Sequence, residues 1–165
     1  MKRARGWIAV LLKRFAATAA FVALLVSPAS AQMRVAELGE VYESYNDCFA
    51  ATQTSSLAPD ALVARGWQRA TISDASGVES EEGPIIYGNP ERASLIMLSA
   101  LKGEGVCVVI AKIKDLKAFD QFKSAWGEEL PEPDNNGQIT FFAEGRAVQM
   151  APTGSRKEPS LRVVV

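Results

Sequence analysis

The sequence predicts a two-layer α+β domain, in which about three helices pack mainly on one face of an antiparallel sheet of about five to seven strands. Two observations predict this fold. Some segments place apolar residues at steps of three and four, whereas others are short apolar runs rich in β-branched residues. Turn residues and short connections join these runs, which favours antiparallel pairing, because parallel strands need long crossovers. A cleaved signal peptide is expected to precede the domain.

The first element, residues 1–31, has the layout of a secretory signal peptide. All of its charged residues are basic, and a run without charged residues, apolar except for Thr18, follows at residues 15–26. Pro28 then breaks the run, and Ala29 and Ala31 supply the small-x-small pattern of a cleavage site. This pattern predicts cleavage after Ala31 and export to the periplasm or the extracellular space.

We therefore expect the mature chain to begin at Gln32 and to form a single domain, residues 32–165. A retained membrane anchor is the alternative, but the apolar run has only 12 residues, and a transmembrane helix needs about 20. Extending the run would place Lys13 and Arg14 inside the bilayer, which is costly. A lipid-modified cysteine is also missing after the cleavage point, so no stable membrane anchor is expected.

The first helix is predicted at residues 35–49, because its apolar residues form one stripe. A short second helix should start at Pro59 and end before Gly66, since proline suits the first helical position and glycine the residue after the last. A strand is expected at residues 67–72. The polar, acidic segment 73–83 reads as an exposed loop.

In the middle of the chain, the sequence predicts a short edge strand at residues 84–87, followed by a β-hairpin. Two apolar segments, residues 93–101 and 106–113, flank a glycine-containing loop at residues 102–105. This loop has four residues in the prediction.

A third helix is expected between the N-cap Asp115 and the terminating Gly127. The segment 128–137 contains two prolines and four acidic residues, which indicates a loop. Three more strands are expected, at residues 138–143, 146–151 and 161–165.

Cys48 and Cys107 are the only cysteines in the chain. An even count in an exported protein predicts a disulfide between them. The loop would contain about 60 residues, and closing it would contribute about 4 kcal/mol to stability on the chain-entropy model. The alternative is two buried free thiols. The cysteines have no CxxC spacing, so a redox-active pair is not expected.

The composition of the mature chain disfavours several kinds of partner and chemistry. Removing residues 1–31 leaves 13 basic and 19 acidic residues, a balance of −6, so no nucleic-acid partner is expected. Histidine is absent, which excludes Ser-His-Asp and Cys-His catalysis within this chain. The acidic loops lack the spacing of a calcium-binding EF-hand. No catalytic residue, cofactor-binding residue or metal ligand is therefore assigned, and no cofactor is expected.

The predicted hairpin is apolar on both faces of its strands. If Cys107 points toward the helices, Val108 and Ile110 point to the other face, because successive strand residues alternate. A strand with one wet face should alternate apolar and polar residues. Two explanations stay open: other parts of the chain cover the second face, or it is an exposed apolar surface that receives a partner or a second copy.

Four residues are candidates for such an interface: Trp67, Val108, Ile110 and Phe142. Phe141 and Phe142 are adjacent in a strand, so they face opposite sides and one of them is the better candidate for a surface residue. The alternative for these aromatic residues is burial in the core.

The sequence favours a small exported protein that binds a protein or another envelope component without catalysis. A homodimer is one form of this hypothesis. The alternatives are a small secreted hydrolase that uses carboxylates or a Ser/Lys pair, and a structural protein of the envelope.

Overall fold

The computed structural model describes residues 33–53, 57–71, 84–101, 104–127 and 129–165. The predicted signal peptide, its cleavage residues Ala29, Ala31 and Gln32, and the acidic loop 73–83 lie outside the described residues. The described chain has the predicted α+β architecture, with three helices and a seven-stranded antiparallel sheet. No helix in these ranges is long and apolar enough to cross a membrane.

The elements follow one another with short connections. The helices are α1 (Leu38–Ala51), α2 (Pro59–Val63) and α3 (Leu116–Ser124). The strands are β1 (Gln68–Arg69), β2 (Ile85–Gly88), β3 (Ser94–Leu101), β4 (Glu104–Lys112), β5 (Ile139–Ala143), β6 (Arg146–Gly154) and β7 (Pro159–Val164). Their order in the sheet is β1-β2-β3-β4-β7-β6-β5, and every neighbouring pair is antiparallel. Strand β5 therefore forms one border of the described sheet.

The β3–β4 hairpin is tighter than the predicted four-residue loop. Glu104 pairs with Leu101 and Gly105 pairs with Ala100, so both residues belong to β4. Glycine at position 105 has a packing reason, because a Cβ there would lie 2.8 Å from Cδ2 of Leu57. Strands β6 and β7 are also longer than predicted and include residues assigned to the connector, since they pair with each other from Gln149 onward.

The disulfide between Cys48 and Cys107 is present, as predicted. It joins α1 to β4 with a Cα–Cα distance of 5.6 Å, which is ordinary for a disulfide. Both cysteines are fully buried. The bridge therefore fixes α1 directly over the centre of the sheet.

A buried polar network joins α1 to the segment after α2. The Trp67 indole Nε1 donates a hydrogen bond of 2.9 Å to Oδ2 of Asp47. Asp47 also forms two ion pairs. Its Oδ1 lies 3.1 Å from Nε of Arg65, and its Oδ2 lies 3.5 Å from Nη2 of Arg92. Trp67 is only 1% exposed. Its apolar rings thus belong to the core, and its one polar atom is satisfied there.

Candidate functional site

The face of the sheet opposite the helices carries a broad apolar surface, which we call the open face. Strand register places its side chains next to one another across β2, β3, β4 and β7. Its apolar residues are all partly exposed and are Ile86, Leu95, Met97, Val106, Val108, Ile110 and Val164. The intervening residues on the helix side are buried, as Leu98, Val109 and Val163 show. The predicted interface residues Val108 and Ile110 therefore lie side by side with other apolar residues.

The three described helices all lie on the other side of the sheet. The disulfide holds α1 there, and Trp67 links the end of α2 to α1 through Asp47. Trp126, just after α3, packs edge-on against Tyr45 of α1, with ring centroids 4.8 Å apart. None of the described helices therefore covers the second face of β3 and β4.

Two basic residues, Arg162 and Lys112, lie on the open face. Arg162 stands opposite Ile110 on one side and Ala151 on the other. Its Nη2 donates to Oε1 of Gln138 at 3.1 Å, and it forms no ion pair with a carboxylate of the described residues. Lys112, in contrast, pairs with Glu158 at 3.2 Å. The open face therefore combines apolar side chains with a guanidinium whose charge is not balanced by the described chain.

A depression of about 560 Å³ lies at one end of the open face, where Val106 and Val164 form part of its lining. Arg146 is the charged residue of this lining. Its guanidinium donates to both oxygens of Thr52 and lies 5.6 Å over the ring of Phe49. This side chain is already engaged by Thr52 and Phe49, and among its described lining residues the depression has no Asp, Glu, Lys, Ser or Cys side chain.

The outer edge of β5 pairs with no other strand of the described residues. The turn at Glu144 and Gly145 has positive φ at both residues, 51° and 80°, as a type I′ hairpin turn requires. Alternation along this ladder directs the backbone N–H and C=O of Thr140 and Phe142 away from β6. Among the described residues, neither backbone takes part in a hydrogen bond outside the β5–β6 pairing. The Phe142 side chain is 80% exposed.

A groove of about 460 Å³ runs along this edge, which we call the β5 groove. Its walls come from β5 and from the segment Glu129–Pro131, with Trp126 and Phe141 contributing aromatic surface. The rings of Trp126 and Phe141 are 5.0 Å apart. Nε1 of Trp126 has no hydrogen-bond partner among the described atoms. Glu129 is the charged residue of the described lining.

The four predicted interface residues are thus separated by the structure. Val108 and Ile110 lie on the open face, Phe142 lies at the β5 edge, and Trp67 lies in the core. We therefore do not include Trp67 in a binding surface. Sequence reasoning did not select Arg162, although its position between buried residues of β7 would have placed it on the second face.

No group of three or more acidic or sulfur-containing side chains among the described residues could hold a metal ion. One titratable group in the core is strongly perturbed. The pKa of Tyr45 is raised to about 12, mainly by burial and also by the nearby Glu144 and Tyr42, whereas Arg146 acts to lower it. The Tyr45 hydroxyl has no hydrogen-bond partner among the described atoms. It is therefore a buried neutral phenol in the aromatic cluster beside the β5 groove.

We expect Tyr45→Phe to leave stability at pH 8 unchanged or slightly higher, because it removes an unpartnered buried hydroxyl. The folded protein holds this proton more tightly than the unfolded chain, whose tyrosine titrates near 10.0. The associated stability is complete below pH 10 and is lost as the pH rises toward 12. Urea unfolding at pH 8 and pH 11 should therefore show a smaller loss for the variant than for the wild type. Equal losses would contradict the assignment.

No family model, no curated protein and no solved structure matches this chain. Its function is therefore argued from the open face and the β5 edge.

Proposed function

We propose that this protein is a small exported binding module, without catalysis, that holds a protein partner on the open face of its sheet. The observation that supports this proposal is the apolar surface across four strands, on the side away from all described helices. Contiguous apolar patches of this kind are typical of surfaces that bind other proteins. The partner we propose carries an apolar surface and a carboxylate that pairs with Arg162.

Charge favours a different protein over a second copy. Two open faces packed together would bring two Arg162 guanidinium groups onto one interface. Among the described residues, Glu158 is the carboxylate that pairs with a basic residue of this face. Because it already pairs with Lys112, it would not compensate the Arg162 charges. Like charges at an interface are unfavourable unless they are compensated. A partner with an acidic residue in an apolar surface avoids this cost.

Export is part of the proposal. The layout of residues 1–31 supports it, and so does the disulfide, because such bridges persist in oxidising compartments such as the periplasm or the extracellular space. The proposed mature form begins at Gln32.

A photo-crosslinking residue placed at Val108 should capture a specific partner in the native compartment. The matched control carries the same residue at Val63, which is 57% exposed on α2, in the helix layer. The added substitution Ile110→Glu should reduce capture about tenfold or more, because it removes apolar contact surface and places a carboxylate opposite Arg162, where it competes with the carboxylate of the partner. Mass spectrometry identifies the captured protein and also reports whether the chain begins at Gln32.

Equal capture from Val108 and Val63 would contradict the proposed binding surface. Turnover in a broad hydrolase panel, lost on substitution of a carboxylate or a Ser/Lys pair, would replace the proposal with an enzyme. Absence of both capture and turnover would favour a structural role in the envelope.

A further inference from the structure

We infer that the outer edge of β5 is a strand-addition site, which takes an extended segment of a partner protein with apolar residues at alternate positions and a basic residue beside them. The inference rests on the proposed function only in assuming a protein partner. It concerns a different surface, the border of the sheet and the β5 groove.

The backbone of β5 provides the first argument. Thr140 and Phe142 each direct one N–H and one C=O toward the open edge, so an added strand would find two donors and two acceptors at the spacing of a β-ladder. Natural edge strands are usually protected by a charge, a proline or a bulge. Strand β5 has no proline and no charged residue between Ile139 and Ala143, and both outward residues are exposed.

The side chains on the two faces of the edge provide the second argument. Alternate side chains of an added strand would point to opposite faces of the sheet. One set would lie beside Phe142 on the open-face side. The other set would enter the β5 groove, whose walls include Trp126, Leu130 and Phe141. Trp126 also carries a buried Nε1–H that has no partner among the described atoms. This arrangement fits the β-augmentation mode of peptide recognition, in which the backbone gives affinity and pockets for alternate side chains give specificity.

Charge provides the third argument and selects the partner. Glu129 lines the groove, and the exposed Glu144 follows β5 at the turn. Neither forms an ion pair with a basic residue of the described chain. A lysine or arginine beside the apolar residues of an added segment would pair with them. Two copies joined along β5 would instead bring these acidic groups together, which disfavours a second copy.

A fluorescent peptide of alternating valine and threonine flanked by lysines is the probe for this site. We expect it to bind the full mature protein about tenfold tighter than the same peptide flanked by glutamates. Hydrogen exchange of the Thr140 and Phe142 amides should slow on binding. The Phe141 amide should change little, because it already faces β6.

Two variants make the test specific. Phe142→Lys should weaken binding of the lysine-flanked peptide about tenfold, whereas Val63→Lys, at an exposed apolar residue on α2, should not change it. Glu129→Lys should reverse the preference between the two peptides. Unchanged exchange of the Thr140 and Phe142 amides at saturating peptide would overturn the inference. A concentration-dependent dimer that protects the same amides without peptide would overturn it in favour of a second copy.

Failure of this inference is distinguishable from failure of the proposed function. If Phe142→Lys loses peptide binding while capture at Val108 is unchanged, the β5 edge and the open face are two separate binding surfaces. Peptide binding with no capture at Val108 would leave the edge as the binding surface and would reject the open face.

Discussion

Replacing both disulfide cysteines, Cys48→Ala and Cys107→Ala, should lower the free energy of unfolding by about 4 kcal/mol. The bridge spans a sequence separation of 59 residues, so its removal restores much conformational freedom to the unfolded chain. A loss of this size is a large part of the total stability of an ordinary domain, about 5–15 kcal/mol. Urea unfolding followed by tryptophan fluorescence at 25 °C measures the difference.

The position of the bridge gives a control for this experiment. Both cysteines are fully buried, so a mild reductant should not reach the bridge until the protein unfolds. The wild type should therefore keep its disulfide in reductant alone and lose it when urea is added. A loss of stability below about 1 kcal/mol in the double variant would contradict the expected effect of loop closure.

Trp67→Ala should lower the free energy of unfolding by about 4 kcal/mol. The substitution leaves a large cavity between the helices and the sheet, because the side chain is only 1% exposed. It also removes the indole donor to Asp47. Trp67→Phe keeps most of the packing and loses the hydrogen bond, so we expect a smaller cost of about 1–2 kcal/mol. Thermal and urea unfolding of the three proteins measure both contributions.

Phe142→Ala is the matched control for this series. Phe142 is also aromatic but is 80% exposed, and its truncation should change stability by no more than about 0.5 kcal/mol. Similar losses for Trp67→Ala and Phe142→Ala would contradict the assignment of Trp67 to the core and of Phe142 to the surface.

The parts of the fold that depend on local pattern could be predicted from the sequence. The apolar stripe of α1 follows from its helical spacing. Asp115 is the N-cap of α3, as predicted, and its side chain accepts a hydrogen bond from Ala118 N at 3.0 Å. The disulfide followed from the cysteine count. Gly105 could not be assigned to β4, because its role depends on Leu57, which is distant in sequence. The insertion of β7 between β4 and β6 is likewise a long-range choice.

The candidate site divides in the same way. The face on which Val108 and Ile110 lie could be predicted, because side chains alternate along a strand. Once Cys107 is known to face the helices, the faces of its neighbours follow. The exposures of Trp67 and Phe142 could not be told apart, since both are aromatic residues in apolar segments and their burial depends on Asp47 and on the sheet border. The groove beside Trp126 needed the path of the segment after α3, which carries no periodic pattern.

The central place of β7 has a consequence for the order of folding. Strands β1 to β4 form one hydrogen-bonded half of the sheet and β5 with β6 form the other, and β7 is the strand that connects them. Since β7 follows the other described strands in the chain, the two halves of the sheet cannot be joined until β7 has been synthesised. Contacts between segments distant in sequence form slowly. The two halves of the described sheet therefore become one sheet only when β7 pairs with both β4 and β6.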